Sequence, residues 1–189
     1  MGTSTTPRSA QKTATGVERI ARRARQEPQT QYTSLMHHFT VDNLRACFES
    51  LDGKKAIGVD GVTKTMYGQN LEGNLQALHQ KLHQMSYRPK PVRRVEIPKD
   101  DSSTRPLGIS CLEDKIVQEM ARRILDAIYE PVFIDTSYGF RPGRSCHDAL
   151  RQLNHEVMSE RVNWIADLDL AKFFDTMPHV DILAVLSER

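Results

Sequence analysis

The stretch Asp167-Leu168-Asp169-Leu170-Ala171-Lys172-Phe173-Phe174-Asp175 decides how this chain is read. Trp164-Ile165-Ala166 just before it has the apolar character of a short strand, which runs into carboxylates at Asp167 and Asp169. Side chains two apart on a strand share a face, so these two acids point the same way. A carboxylate at a strand end can hold a divalent cation where a phosphate arrives. A bulky aromatic a few residues on can wall a nucleotide pocket. Phe173, Phe174 and a third acid, Asp175, follow, and a last helix is expected from about Pro178 to Arg189.

Working back from this stretch, the 189 residues suffice for one ordinary domain or one and a half small ones. A hydrophobic share of 39% allows a modest core, and a net charge of +2 does not by itself point to nucleic acid. The placement of the charge says more. Arg19, Arg22, Arg23 and Arg25 crowd near the start, and Lys90, Arg93, Arg94, Lys99 and Arg105 crowd the middle. Such clusters suit phosphate backbones, although either alone also fits a solvated basic face. Cys47, Cys111 and Cys146 are widely spaced, which fits a reduced, cytoplasmic chain better than a disulfide framework or a zinc site. No apolar run approaches the roughly 20 residues of a membrane span, so no membrane partner is expected. Met1-Gly2 with Thr6 formally matches a short myristoylation pattern, and the Arg-rich, acid-poor start loosely resembles an organellar transit peptide.

Residues 1 to 34 are rich in Thr, Ser, Gln and Arg and poor in large apolar side chains, which predicts a mobile basic tail. Within it, Val17 to Arg25 has the makings of one or two basic helical turns once a partner is bound. Order is expected from Leu35. Thr40 is a candidate N-cap for a helix with Val41, Leu44, Phe48 and Leu51 on one face. Gly58-Val59-Asp60-Gly61-Val62 reads as a glycine-punctuated turn. A second helix follows with Leu71, Leu75, Leu78, Leu82 and Met85 inside. His79 and His83 on it lack a third metal ligand nearby and read as solvated or flanking residues. Tyr87-Arg88-Pro89-Lys90-Pro91 breaks that helix. Val92–Ile97 and Arg105–Ile109 read as a hairpin. Ser110 to Glu113 reads as a capping box opening a long helix with Ile116, Val117, Met120, Ile124 and Ile128 inside. Gly139–Gly143 is an irregular basic loop, and Ser145 with Asp148 caps a further helix.

Four stretches now stand in one order: Ala56-Ile57-Gly58-Val59-Asp60-Gly61-Val62; Arg94 to Lys99 with Arg105-Pro106-Leu107-Gly108-Ile109; Ser137-Tyr138-Gly139-Phe140-Arg141-Pro142-Gly143-Arg144-Ser145; and Asp167 to Asp175. Together they closely resemble the N-terminal part of group II intron-encoded reverse transcriptases, the maturase proteins, over roughly residues 35–189. The resemblance implies an α+β fold: right-hand polymerase fingers plus the start of the palm, mostly helical, with a β-hairpin and one palm strand. The implied division is a tail over 1–34, a helical N-terminal extension over 35–88, fingers over 89–163 and the start of the palm over 164–189. No Tyr-Ala-Asp-Asp-type tetrapeptide occurs in the 189 residues.

By the same resemblance, Asp169 is the first catalytic aspartate and would bridge two Mg2+ ions in a complete palm. The Leu170 carbonyl would ligate the triphosphate-bound metal, and Phe174 would pack under the sugar to disfavour a 2′ hydroxyl. Asp167, on the strand face of Asp169, reads as a supporting or structural residue with metal ligand as the alternative, and Asp175 as capping the next helix rather than binding metal. Lys99 and Arg105 match the family's triphosphate-binding pair, across a turn, Asp100-Asp101-Ser102-Ser103-Thr104, that carries more acid than the family's usual Pro-Asp-Gly bend. Tyr138, Arg141 and Arg144 match template contacts, whereas Phe140 is read as anchoring its loop to the core. Arg22, Arg23 and Arg25, with the helices over 40–51 and 71–86, match the region that binds intron RNA in relatives. Pro178 departs from the family's acidic or amide residue before His179, and a helix's first turn tolerates it.

Three functions are compatible with these readings: the front portion of an RNA-directed DNA polymerase and maturase, an RNA-binding module without polymerase activity, or a decayed fragment. The implied partners are group II intron RNA, a DNA target and dNTPs in the complete enzyme, and a complementing C-terminal polypeptide. With one palm carboxylate motif, the chain alone is expected not to polymerise DNA. The uncovered palm strand leads to an expectation of marginal stability.

Overall fold

One helix, α5 (Leu112–Tyr129), organises the packing. Ile116, Met120, Ile124 and Ile128 repeat every four residues and are almost wholly buried, so they form a continuous apolar stripe. Three further helices contribute to the core around it: α1 (Arg8–Gln26), α2 (Val41–Ser50) and α4 (Leu71–His83). From α2 come Leu44, Cys47 and Phe48, and from α4 come Leu75, Leu78 and Leu82. Each such side chain contributes roughly 1.5–3 kcal/mol by leaving water. The computed structural model describes residues 8–100, 103–159 and 161–189.

The architecture is mixed: helices plus a two-stranded antiparallel sheet. Strands β1 (Arg93–Asp100) and β2 (Ser103–Ile109) pair in a register that sets Arg94 opposite Gly108 and Ile97 opposite Arg105. Pro98 faces Thr104 and Pro106 faces Glu96. Ile109 is buried at the base of the hairpin, while Arg93, Arg94, Arg105 and Leu107 are exposed, so the pair stands out from the helical body as an arm.

Helix starts follow local chemistry. The Thr40 hydroxyl accepts from the Asn43 amide at 3.2 Å to open α2, as expected, and Thr63 caps the one-turn α3 (Lys64–Gly68) in the same way. Ser145 and Asp148 form a reciprocal box at the start of α6 (Cys146–Ser159). There the Ser145 amide donates to Asp148 at 2.8 Å, and the Asp148 amide donates back to the Ser145 hydroxyl at 3.2 Å.

Several expectations need correction. Residues 8–26 are helical rather than a mobile tail, because Ile20 and Ala24 are buried, with Val17 and Ala21 packed beside them. The small alanines let α1 approach α5 closely, a route to burial that does not need large side chains. Residues 1–7 lie outside the described residues. The Ser110 box does not form: Cys111 is the N-cap of α5 and makes no side-chain cap bond, while Ser110 Oγ instead accepts from Gln118 at 3.4 Å. Met85 is 72% exposed because it adopts a left-handed φ of 55° just past α4, where the chain reverses and the Ser86 and Tyr87 amides return to the Lys81 carbonyl.

The expected palm strand is also not formed. Residues 161–170 carry no strand pairing, since no described strand lies beside them and an isolated strand has no ladder to stabilise it. α7 (Phe173–Thr176) and α8 (His179–Ser187) follow, and neither these helices nor α6 buries any residue. Pro178 sits at the start of α8 without disturbing it.

Candidate functional site

The base of the arm is built from residues far apart in sequence. Gly58 and Gly61 close a turn in which the Gly61 amide donates to the Gly58 carbonyl at 3.3 Å, and the Asp60 carboxylate accepts from the Val62 amide at 3.2 Å. Asp60 also accepts from Lys90 Nζ at 3.0 Å. Burial pushes the Asp60 carboxyl upward, but the bonds from Lys90 and the Val62 amide outweigh it and leave the group below the usual carboxylate range. Arg93 Nε donates to the Ile57 carbonyl at 3.0 Å, and Lys115 Nζ donates to the Ala56 carbonyl at 2.6 Å. The Ala56–Val62 motif is therefore a latch between the arm and α5.

Behind the latch lies an acid that the sequence reading missed. Asp114 is 4% exposed, and its carboxylate accepts from the Tyr87 hydroxyl and, at 3.3 Å, from the Lys90 amide. Burial and this neighbour hold the Tyr87 phenol protonated well above its ordinary range. In sequence, Glu113-Asp114 reads as first-turn acids of a helix. The one hint was a Tyr and two prolines in the preceding linker, which need something to hold them.

Arg105 on β2 is exposed, and the Lys99 side chain lies outside the described residues. Asp169 is exposed on an open groove lined by Leu168, Leu170, Lys172, Phe173, Phe174 and Asp175. Phe174 is 85% exposed, with its ring centroid 5.7 Å from that of Phe173. Asp175 lies inside α7 and does not cap α8, whose start has no side-chain cap bond, so its reading as a cap is corrected. Among the described residues no three His, Cys, Asp or Glu side chains converge to hold a metal ion. Asp169 alone does not fit a two-metal centre, which needs further carboxylates.

The loop before α6 is held by its own arginines. The Arg141 guanidinium meets both Glu130 carboxylate oxygens, donates to the Ile134 and Ser137 carbonyls at 2.9 and 2.8 Å, and lies over the Phe133 ring. With a 7% exposed side chain, its guanidinium is taken up inside the chain and pins the loop. Arg144 bonds Asp135 and stacks over Tyr138, its carbon Cζ 5.1 Å from the ring centroid. Phe140 is fully exposed with φ 57°, so it does not anchor the loop to the core. Arg22, Arg23 and Arg25 are exposed along α1.

Comparison with known proteins bears on this arrangement. Residues 97–188 match the family model for reverse transcriptase (RNA-dependent DNA polymerase). The chain is 34% identical over 173 residues to the group II intron-encoded protein LtrA of Lactococcus lactis, covering 90% of this chain and 28% of that protein. These matches set it beside the group II intron-encoded reverse transcriptases, which it resembles over most of its length. Protein YkfC of Escherichia coli is 40% identical over 143 residues, covering 74% of this chain and 38% of its own length. The putative COX1/OXI3 intron 2 protein of Saccharomyces cerevisiae is 38% identical over 141 residues, covering 75% of this chain and 16% of that protein. The chain thus spans well under half the length of the curated relatives it matches. The matched family segment holds the arm from Ile97 onward, α5, the Arg141 loop and the Asp169 groove. No helix among the described residues is long and apolar enough to cross a membrane.

Proposed function

We propose that this chain supplies the fingers and the first palm carboxylate of an RNA-directed DNA polymerase that works on group II intron RNA and a DNA target. One observation carries the reading: a projecting hairpin presents Arg105 to solvent, within the same family-matched segment that leaves Asp169 exposed beside Phe174. In right-hand terms, residues 89–163 are the fingers and 164–189 the start of the palm. Lys99 and Arg105 grip the triphosphate of an incoming dNTP, Arg105 through a planar fork suited to phosphate oxygens. Phe174 lies under the sugar. Tyr138 offers a face on which a template base stacks, and Arg141 keeps the loop in shape for it. Polymerisation draws on divalent metal chemistry, Mg2+ in this reading, to which Asp169 and the Leu170 carbonyl each contribute once further palm carboxylates are present.

The rest of the palm comes from further polypeptide. Trp164, Leu168, Leu170 and Leu183 are between 65% and 93% exposed and offer it an apolar seat. The decisive experiment is primer extension on an RNA template by the chain with and without a polypeptide carrying the remaining palm of a relative. Synthesis is expected from the mixture and not from the chain alone, and Asp169→Ala should abolish it. Synthesis that survives Asp169→Ala would end the reading.

A second reading, RNA binding by the chain on its own, is favoured by α1, which turns Ile20 and Ala24 inward and leaves Arg22, Arg23 and Arg25 outward.

A further inference from the structure

The arm stands clear of the helical body, so its pitch depends on what grips the linker leading into it. That linker has no regular structure between the end of α4 and Arg93. Asp114 holds it at two points, the Tyr87 hydroxyl and the Lys90 amide, three residues apart. Lys90 then reaches Asp60 at 3.0 Å, and Arg93 reaches the Ile57 carbonyl at 3.0 Å. Both groups facing Asp114 are donors. An acceptor-only carboxylate satisfies them together, whereas an amide turns an NH2 group toward one of them.

We infer that Asp114 is a positioning residue that sets the pitch of the β1–β2 arm and, through it, where Arg105 stands relative to the palm carboxylate. The last clause rests on the polymerase reading; the control of pitch does not. Arg105 is four residues beyond the buried Ile109, a lever of about 13 Å at roughly 3.3 Å per strand residue. A tilt of about 10° at the base swings it by about 2 Å, and a misplacement of about 1 Å can cost roughly a hundredfold in rate.

Two measurements test this with Asp114→Asn and Tyr87→Phe. The first uses spin labels at Thr104→Cys on the arm and Gln76→Cys on α4, in a Cys146→Ser background, with dipolar distances recorded. The parent should give one narrow distance, and both variants should broaden it while keeping the parent's helical circular dichroism. Tyr87→Phe removes a single hydroxyl, so it carries the test if Asp114→Asn does not fold. The second measures steady-state dNTP kinetics in the complemented polymerase. KM should rise about tenfold or more in both variants, with a smaller change in kcat. An unbroadened distance in the folded variants overturns the inference outright. If broadening occurs but neither these variants nor Arg105→Ala changes KM, the triphosphate role of the arm fails and the control of pitch survives. If Arg105→Ala raises KM and the two clamp variants do not, the functional clause falls.

Discussion

Gly58 packs on the backbone of Cys111, so that a Cβ at position 58 would stand 2.6 Å from the Cys111 Cα and 2.8 Å from its nitrogen. Neither atom can move without shifting the first turn of α5. Gly58→Ala is therefore expected to destabilise the fold by about 1–3 kcal/mol, read as a lower urea midpoint. Gly61→Ala meets no atom within 4 Å, and its cost is confined to the φ of 70°. Equal midpoints for Gly58→Ala and the parent would show that the latch is looser than described.

The docking of α1 is open to a direct probe. Ala24 is wholly buried, so Ala24→Asp places an unpaired carboxylate between helices. Trypsin should then cut rapidly at Arg22, Arg23 and Arg25, which the parent protects by helical structure. An unchanged digestion pattern would return this segment to its first reading as a mobile tail.

Phe140 gives a test with opposite outcomes. Its ring is fully exposed and its φ of 57° is unfavourable for a bulky side chain. Phe140→Asn, which tolerates that conformation, should leave stability unchanged or raise it by roughly 0.5 kcal/mol. If the ring anchored the loop, the same change would cost about 3 kcal/mol or more.

Acid should weaken the α2–α5 contact through Glu119. Hydrogen bonds from Arg122 and then Arg123 outweigh its burial and hold its carboxyl down from an ordinary 4.5 to about 2. Arg123 also bonds the Ser50 hydroxyl at 2.8 Å at the end of α2. A depressed folded pKa gives stability that is complete above about pH 4.5 and is lost as pH falls toward 2. Because Arg122 is 55% exposed, the loss should be on the order of 1–2 kcal/mol. Denaturation of Glu119→Gln at pH 7, 4.5 and 3 should show a flatter dependence than the parent.

Binding of structured RNA by α1 should depend on salt. Each phosphate contact adds about −0.7 to −0.9 to the slope of log K against log salt. Replacing Arg22, Arg23 and Arg25 with Ala should therefore flatten the slope by roughly 2. A slope near zero in the parent would rule out phosphate-led binding.

What was legible in the sequence was periodic or chemically local. Leu75, Leu78 and Leu82, the Thr40 cap, the Ser145 box and the hairpin all follow from neighbours a few residues away. The rest depended on distant partners. α1 escaped because Ala24 is buried through smallness rather than hydrophobic bulk. Arg141 looked free until Glu130, eleven residues upstream, supplied its counter-charge. Asp114 resembled any first-turn acid, since its partner Tyr87 lies 27 residues before it. The stretch Trp164–Ala166 has strand composition, but composition does not supply the neighbouring ladder that a strand requires.

Pro98 and Pro106 leave each flank of the hairpin short of one amide donor. A third strand approaching from either side would meet a gap in the zipper. The arm can accordingly reach into water as a two-stranded lever without recruiting copies of itself into fibres.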